Sequence, residues 1–338
     1  MKQILLTLMV VVATTYVSAQ QIVILQSNGT TTAFDSEQPF IDAYESALDG
    51  DTIYLPGAVL TPPSTIDKQL TIYGVGHYPE ATIATNKTVI NGHVYINENS
   101  DNIRIEGVEI TGTLLFNNNQ KIDSATITRC KLNQVYLQGD GTTPCVNTTI
   151  KNCVITSNIT LSNAYNCTFT NNIIATTVVG GIKIALLNNI FLYSSTSTSS
   201  GTIRSVNNST IANNIFRRVN NLIQSDCETS TFSNNVFKTT ALPGVNTFIN
   251  NYENVDFASL FVNQGDESTF TYEQDYNLTN TETYLGNDGT QVGIYGGLFP
   301  YKEEAIPSNP HISSQSIATS TDENGMLNIS ITVSAQQE

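Results

Sequence analysis

The sequence lacks tryptophan altogether and is poor in charge, since only 13% of its 338 residues are Asp, Glu, Lys or Arg. Because 40% of the residues are hydrophobic and Asn, Thr and Ser are abundant, this composition is typical of a long all-β protein. The formal net charge of -15 argues against nucleic acid and anionic membranes as partners. It also opposes unaided binding of a long polyanion, so we expect a neutral partner or one bridged by a cation.

Histidine and cysteine are also scarce. The three histidines are far apart and do not have the spacing of a metal site. The five cysteines are odd in number and include no CxxC pair, which argues against a zinc site, a redox motif or a disulfide framework.

Beyond the first residues, no apolar run approaches the roughly 20 residues needed to span a bilayer. The N-terminal stretch instead combines Lys2, an apolar core and the small-residue site Val17-Ser18-Ala19. This pattern predicts a Sec-type signal peptide over residues 1–19, cut after Ala19. We therefore expect an exported chain that is secreted, periplasmic or held at the cell surface.

What the sequence does contain is a repeated polar pair, usually Asn-Asn, inside an apolar segment, as in CTFTNNII, ALLNNIF, STIANNIF and STFSNNVF. The apolar residue two places before each pair serves as a marker, and the markers are Ile105, Ile127, Ile150, Phe169, Leu186, Ile211 and Phe232. Their spacings are 22, 23, 19, 17, 25 and 21 residues, which is a period typical of stacked repeats. Each unit is too short to bury its own apolar face, so the units must share one continuous core.

The residues around the pairs are β-branched or aromatic, which favours coils made of short strands over helix pairs. An earlier strand occurs in successive repeats as HVYI, TLLF, QVYL and NITL. Alternation along these strands predicts an inward row of Val94, Leu114, Val135 and Ile159. It predicts an outward row of Tyr95, Leu115, Tyr136 and Thr160.

A sharp corner between strands needs a residue that tolerates a left-handed backbone, and asparagine tolerates it best after glycine. Stacking the corners should form a hydrogen-bonded asparagine ladder from Asn172, Asn189, Asn214 and Asn235. Cys130 and Cys153 occupy the same column in neighbouring repeats, within the Cα distance range of a disulfide. A disulfide and two buried thiols are both open at this stage.

With this repeat and ladder, the chain resembles right-handed parallel β-helix proteins of the pectate-lyase-like type. The stretch FIDAYESALDGDTIYLPGAVL is similar to the helical cap and first strand of such proteins, and DGTQVGIYGGLFPYKEEAIPSNPHI resembles a C-terminal segment of exported β-helix proteins of the Bacteroidetes. The resemblance implies an N-terminal cap over residues 20–50, a β-helix over 51–300 and a C-terminal tail over 301–338. Alternation around Asn324-Gly325 predicts a β-hairpin in that tail, which could cover the open end of the solenoid.

Enzymes of this architecture, as the resemblance implies, use calcium-binding carboxylates with an arginine or lysine base, or a cluster of aspartates. The candidate cation ligands are the turn acids Glu98, Asp101, Asp123 and Asp140. Arg204 and Asp140 are the candidate catalytic residues, although neither falls in a row of aligned carboxylates. For each of them, an ordinary solvent-facing side chain is the competing interpretation.

Tyr95 and Tyr136 should face outward two coils apart, about 10 Å from one another, which is close to the span of two sugar residues. Aromatic rings stack on the apolar faces of sugars and bury large areas. The first hypothesis is therefore a β-helix that binds polysaccharide without cleaving it. The alternatives are a polysaccharide lyase or glycoside hydrolase with catalytic groups in the turns, and a structural or adhesive rod.

Overall fold

The computed structural model describes residues 21–117, 120–194, 201–220, 222–224, 226–241, 244–264 and 268–335. The predicted signal peptide lies outside these ranges. Within them, no helix has both the length and the apolar character needed to cross a bilayer.

The described residues form short strands and one α-helix. The N-terminal region contains β1 (Val23–Ser27), β2 (Thr30–Phe34), α1 (Pro39–Ser46), β3 (Thr52–Tyr54), β4 (Val59–Leu60), β5 (Thr71–Tyr73), β6 (Val89–Ile90) and β7 (Val94–Ile96). The central coils contain β8 (Arg104–Glu106), β9 (Glu109–Phe116), β10 (Thr126–Thr128), β11 (Lys131–Leu137), β12 (Cys145–Val146), β13 (Thr149–Lys151), β14 (Val154–Ile155), β15 (Ile159–Thr160), β16 (Ala164–Tyr165), β17 (Thr168–Thr170), β18 (Ile173–Ile174) and β19 (Val178–Val179). The later coils contain β20 (Ala185–Leu187), β21 (Ile190–Phe191), β22 (Ile203–Arg204), β23 (Thr210–Ala212), β24 (Ile215–Phe216), β25 (Thr231–Ser233), β26 (Val236–Phe237) and β27 (Thr247–Ile249). The C-terminal region contains β28 (Phe261–Asn263), β29 (Asp275–Leu278), a short 3₁₀ helix (Glu303–Ala305), β30 (His311–Ile317) and β31 (Ile329–Ser334).

Successive coils stack in parallel, which confirms the predicted all-β fold of a parallel β-helix. One long sheet runs in the order β3-β5-β8-β10-β13-β17-β20-β23-β25-β27, and a second sheet carries the other faces of the coils. The seven marker residues are paired in register from Ile105 through Phe232. The column extends past the predicted markers, to Ile53 and Ile72 at one end and Phe248 at the other.

The marker column and the inward row of the second sheet form one core that extends through all the coils. Phenylalanines stack inside it from coil to coil, with ring centroids 4.5 Å apart for Phe191 and Phe216 and 5.3 Å apart for Phe216 and Phe237. Because every coil buries its apolar side chains only against its neighbours, the coils share the cooperative core of a solenoid.

The two members of each polar pair have different roles. The first member adopts a positive φ, between 49 and 73°, at the corner after each first-sheet strand from β8 to β27. This column consists of Gly107, Arg129, Asn152, Asn171, Asn188, Asn213, Asn234 and Asn250. The repeated asparagine thus relieves the strain that most side chains would incur in a left-handed conformation.

The second member points into the coil and forms a ladder. Each side-chain oxygen from Asn189 onward accepts hydrogen bonds from the backbone N–H and the side-chain amide of the preceding asparagine, at 2.8 to 3.0 Å. The amides of Asn172, Asn189, Asn214 and Asn235 also donate to main-chain carbonyls of the marker column. Asn251 adds a further rung beyond the predicted four. All of these buried polar groups are therefore paired, as burial requires.

A second corner lies before strands of the first sheet. It also combines a left-handed residue with a buried residue that follows it, but the residue types differ. The left-handed positions include Asn147, Asn166, Lys183 and Asn208. The buried residue that follows is Ser209 or Ser230 in two of the coils, and Ser209 accepts the Ile184 N–H at 2.8 Å. Ser230 in turn accepts the Ser209 N–H at 3.1 Å, so a short serine ladder lies opposite the asparagine ladder.

The N-terminal end of the solenoid is covered as the sequence predicted. Strand β1 pairs antiparallel with β3 and with β2, so the stack ends in a hairpin rather than an open parallel edge. Helix α1 buries Phe40 and Ala43 in the same core. This arrangement blocks further parallel addition at that end.

After β27 the chain leaves the coils and folds back along the outside of the solenoid. Phe257, Phe261 and Tyr276 pack on the outer face of the second sheet, where they cover the outward apolar column of β14, β18, β21, β24 and β26. Residues 285–308 then run from the last coils toward the first along the asparagine corner, and we call this segment the strap.

The strap is held by the first asparagine of the pairs. Asn234 donates its amide to the Leu285 carbonyl, Asn213 exchanges hydrogen bonds with Asn287, and Asn171 donates to the carbonyls of both Ile294 and Gly296. Further along, Asn152 donates to the Phe299 carbonyl. Four of the side chains at the left-handed corners, those of Asn152, Asn171, Asn213 and Asn234, therefore hold the strap by hydrogen bonds.

Strands β30 and β31 form the predicted C-terminal hairpin. β31 and the later part of β30 are exposed, and Gln315 donates a hydrogen bond to the Ala84 carbonyl near the N-terminal coils. The hairpin does not cover the last coil, because the strap has already carried the chain back along the solenoid.

Candidate functional site

The predicted outward row lies on the second sheet and continues beyond the predicted coils. Tyr95, Leu115, Tyr136 and Thr160 are paired in register and partly exposed, and Val179 and Arg204 extend the row. The inward neighbours Val94, Leu114, Val135 and Ile159 are fully buried. The structure thus forms a flat, continuous strip with two tyrosines about two strand spacings apart, or about 10 Å.

The tyrosine rings are supported by a parallel polar row. His93 lies beside Tyr95, with 5.8 Å between the ring centroids, and its Nδ1 accepts the Thr113 N–H at 3.0 Å. The Thr113 hydroxyl donates to Gln134 at 2.7 Å. Within the described ranges neither Tyr95 nor Tyr136 uses its hydroxyl in a hydrogen bond, so both hydroxyls can engage a ligand.

Arg204 is at the far end of the same row, and its Nε has no hydrogen-bond partner within the described part of the chain. Asp226 lies nearby. Burial opposes ionisation of Asp226, but hydrogen bonds from Ser205 and the charge of Arg204 outweigh it and lower the pKa of that carboxyl. The arginine is thus near one carboxylate, whereas glycoside hydrolysis needs two.

Three of the four candidate cation ligands, Asp101, Asp123 and Asp140, accept hydrogen bonds within turns through their carboxylates. Asp101 accepts the Asp123 N–H at 2.7 Å, which joins two neighbouring coils. Hydrogen bonds from Ser124 and then Asn147 lower the pKa of Asp123, and those from Thr142 and Thr143 lower the pKa of Asp140 to about 2.

Glu98 makes its contact through the backbone, because its N–H donates a hydrogen bond to the side-chain oxygen of Gln120. In the described residues no three His, Cys, Asp or Glu side chains are grouped to hold a metal ion. The structure brings Asp101 and Asp123 together and places Asp140 in a separate turn.

Cys130 and Cys153 share the ladder column and are buried free thiols. The Cys130 N–H donates to the Cys153 sulfur at 3.4 Å, and the Cys153 N–H donates to Asn172 at 2.9 Å. Burial raises the pKa of the Cys153 thiol well above its ordinary value. Both thiols continue the ladder toward the N-terminus, and the raised pKa makes Cys153 a poor nucleophile.

Sequence reasoning missed a second surface, a cleft of about 520 Å³ between the outer face of the first sheet and the strap. Its floor includes Arg104, Thr126 and Lys151, and its other wall includes Leu298 and Phe299. The named residues of the two walls are 147 to 195 residues apart in the chain, so repeat spacing does not reveal them. The only sequence signal is the basic residues Arg104, Arg129 and Lys151 in successive repeats.

The described residues therefore define a capped parallel β-solenoid with an exposed tyrosine row and a basic cleft under its strap. Neither a scan of protein-family models nor a search of curated proteins finds a match to the chain.

Proposed function

We propose that the protein is an exported β-helix that binds polysaccharide through the row from Tyr95 to Arg204. The observation that carries the proposal is the contrast between two columns of outward-facing residues on the second sheet. The C-terminal region buries one column, whereas the tyrosine row remains partly exposed along at least six coils. A flat strip with rings about 10 Å apart suits an extended sugar chain.

The chemistry of the row favours binding over cleavage and a neutral chain over an acidic one. Its members are aromatic, aliphatic or hydroxylated, with one cation at the end. The net charge of -15 disfavours a long anionic polymer. The resemblance to exported pectate-lyase-like β-helix proteins of the Bacteroidetes supports a glycan partner outside the cytoplasm and belongs to the same proposal.

The test uses the protein from residue 20 onward with neutral and acidic polysaccharides, with and without calcium. Binding and product formation are measured in the same samples. We expect calcium-independent binding of a neutral polysaccharide with no new reducing ends. The double variant Tyr95→Ala and Tyr136→Ala should bind at least about tenfold more weakly, since each ring at a contact contributes on the order of 1 kcal/mol.

Tyr165→Ala is the matched control, because Tyr165 is an exposed tyrosine on a different corner of the coil. It should bind as the parent does. Equal binding by the double variant would remove the tyrosine row from the proposal. Calcium-dependent products would instead establish the lyase alternative and direct attention to Arg204.

A further inference from the structure

The cleft beneath the strap is the most basic feature of an acidic protein. Four cations line it, namely Arg104, Arg129, Lys151 and Lys302, against one carboxylate, Glu106. The local balance of +4 and -1 leaves +3 in a chain whose formal net charge is -15. Such a concentration of like charge in a concave, partly desolvated site attracts an anion.

The one carboxylate is already engaged with Arg129, so it does not neutralise Arg104 or Lys151. Glu106 forms an ion pair with Arg129 and accepts hydrogen bonds from the backbone N–H and hydroxyl of Ser308 in the strap. This network fixes the strap over the first sheet. It also holds Arg129 in place, with its Nε buried and lacking a hydrogen-bond partner in the described part of the chain.

The positions of the outer cations set the size of the ligand. Arg104 begins its strand and Lys151 ends its own strand two coils later. At ordinary strand spacings, their Cα atoms are therefore about 12 Å apart. The volume of about 520 Å³ falls within the roughly 300 to 1,000 Å³ of small-ligand sites.

Apolar walls complete the cleft. Phe299 is 55% exposed and lies under the ammonium of Lys151, 4.9 Å from the ring centroid. Tyr73 stacks on Tyr54 at 5.7 Å and forms part of the opposite wall. Because Tyr73 pairs with Glu106 from the preceding coil and Phe299 lies at Lys151, the two rings flank the two ends of the cleft.

We propose that this cleft binds a short oligoanion with two carboxylate or sulfate groups about 10 Å apart. The two ends of the ligand pair with Arg104 and Lys151, and the end at Lys151 also lies against Phe299. A long polyanion is disfavoured because the charge of the whole protein repels the part that extends beyond the cleft. The site is distinct from the tyrosine row, so neither proposal depends on the other.

Titration calorimetry at low and high salt tests the proposal with three probes. Trigalacturonate supplies carboxylates, a sulfated chondroitin disaccharide supplies both groups, and cellotriose is the neutral control. We expect at least one anionic probe to bind, more weakly at high salt, while cellotriose does not bind at this site. Tighter binding of the chondroitin disaccharide would show that a sulfate adds to the affinity, whereas tighter binding of trigalacturonate would show that carboxylates suffice.

Arg104→Gln and Lys151→Gln should each weaken binding of the anion by about tenfold, because each removes a charged hydrogen-bond donor. Lys183→Gln makes the same change of charge at an exposed corner outside the cleft and should leave the affinity within about twofold. Phe299→Ala removes an exposed wall residue and should also weaken binding. Thermal melting verifies that each variant is folded.

Failure of both anions to bind, or equal affinities for the parent, Arg104→Gln and Lys151→Gln, would overturn the assignment. The variants of Tyr95 and Tyr136 should bind the anion as the parent does. A loss confined to those variants would place the anion on the tyrosine row instead.

Discussion

At the scale of single residues, the asparagine pair combines two functions in adjacent positions. Asn213 takes the left-handed corner and holds the strap, while Asn214 turns inward and joins the ladder. Asparagine suits both roles, because its short amide tolerates a positive φ and can both donate and accept hydrogen bonds.

Replacing Asn214 with Leu should destabilise the protein by about 1 to 3 kcal/mol, because the Asn189 N–H and side-chain amide would lose their buried acceptor. Denaturant unfolding measures the change. Asn158→Leu is the matched control, since Asn158 is exposed and outside the ladder, and it should shift stability by less than about 0.5 kcal/mol. Equal effects of the two substitutions would show that the ladder does not stabilise the stack.

His77 predicts a dependence of stability on pH. Burial, with the nearby charges of Lys131 and Lys87, lowers the pKa of His77 to about 3, from an ordinary value near 6.5. Between these values the unfolded state binds a proton that the folded state does not, so His77 favours unfolding increasingly as the pH falls below 6.5. Above pH 6.5 the imidazole is neutral in both states and contributes no pH dependence.

The free energy of unfolding of the parent should therefore fall, relative to that of His77→Gln, by about 1.4 kcal/mol for each pH unit between pH 6 and pH 4. Urea unfolding of both proteins at several pH values measures it. The comparison cancels the titration of the carboxylates, which both proteins share. Parallel stability curves would mean that His77 is protonated in the folded protein.

At the scale of elements, the strap is a long irregular segment held by hydrogen bonds from asparagine side chains at the corners of the coils. Asn171→Gly keeps the permitted left-handed backbone but removes two hydrogen bonds to the strap. Hydrogen exchange of the strap amides should accelerate by roughly tenfold, while the ladder amides remain protected. Asn166→Gly, the same change at the opposite corner, should leave the strap unaffected.

The strap packs directly against a coil at Gly107. A Cβ added there would lie 2.1 Å from Pro307, at a φ of +73° that also disfavours a side chain. Gly107→Ala should therefore displace the end of the strap and lower the melting temperature by several degrees. Gly141→Ala, which meets no atom within 4 Å, is the control.

The elements also show what sequence can and cannot predict. The marker residues and the ladder were predictable, because stacking repeats them at a short period and forces like residues into columns. The role of Asn171 in holding Ile294 was not, since that contact joins positions 123 residues apart and leaves no periodic trace. Serine at 209 and 230 is too common in exposed turns to indicate a buried ladder.

At the scale of the whole molecule, the tyrosine row was predictable and the basic cleft was not. Tyr95 and Tyr136 belong to the repeat itself, so alternation alone assigns them outward. The cleft exists only because residues 298–308 return to the first coils after leaving the last ones. Its wall is a product of tertiary folding, whereas the row is a product of the local strand pattern.

The returning strap also fixes how many coils the protein has. An open solenoid can gain or lose a coil by duplication or deletion of one repeat, because each repeat contacts only its neighbours. Here Asn234 and Glu106 are joined to Leu285 and Ser308 of one continuous segment. One extra coil would move these anchor points apart by about 4.8 Å, so the repeat number can change only if the strap changes length with it.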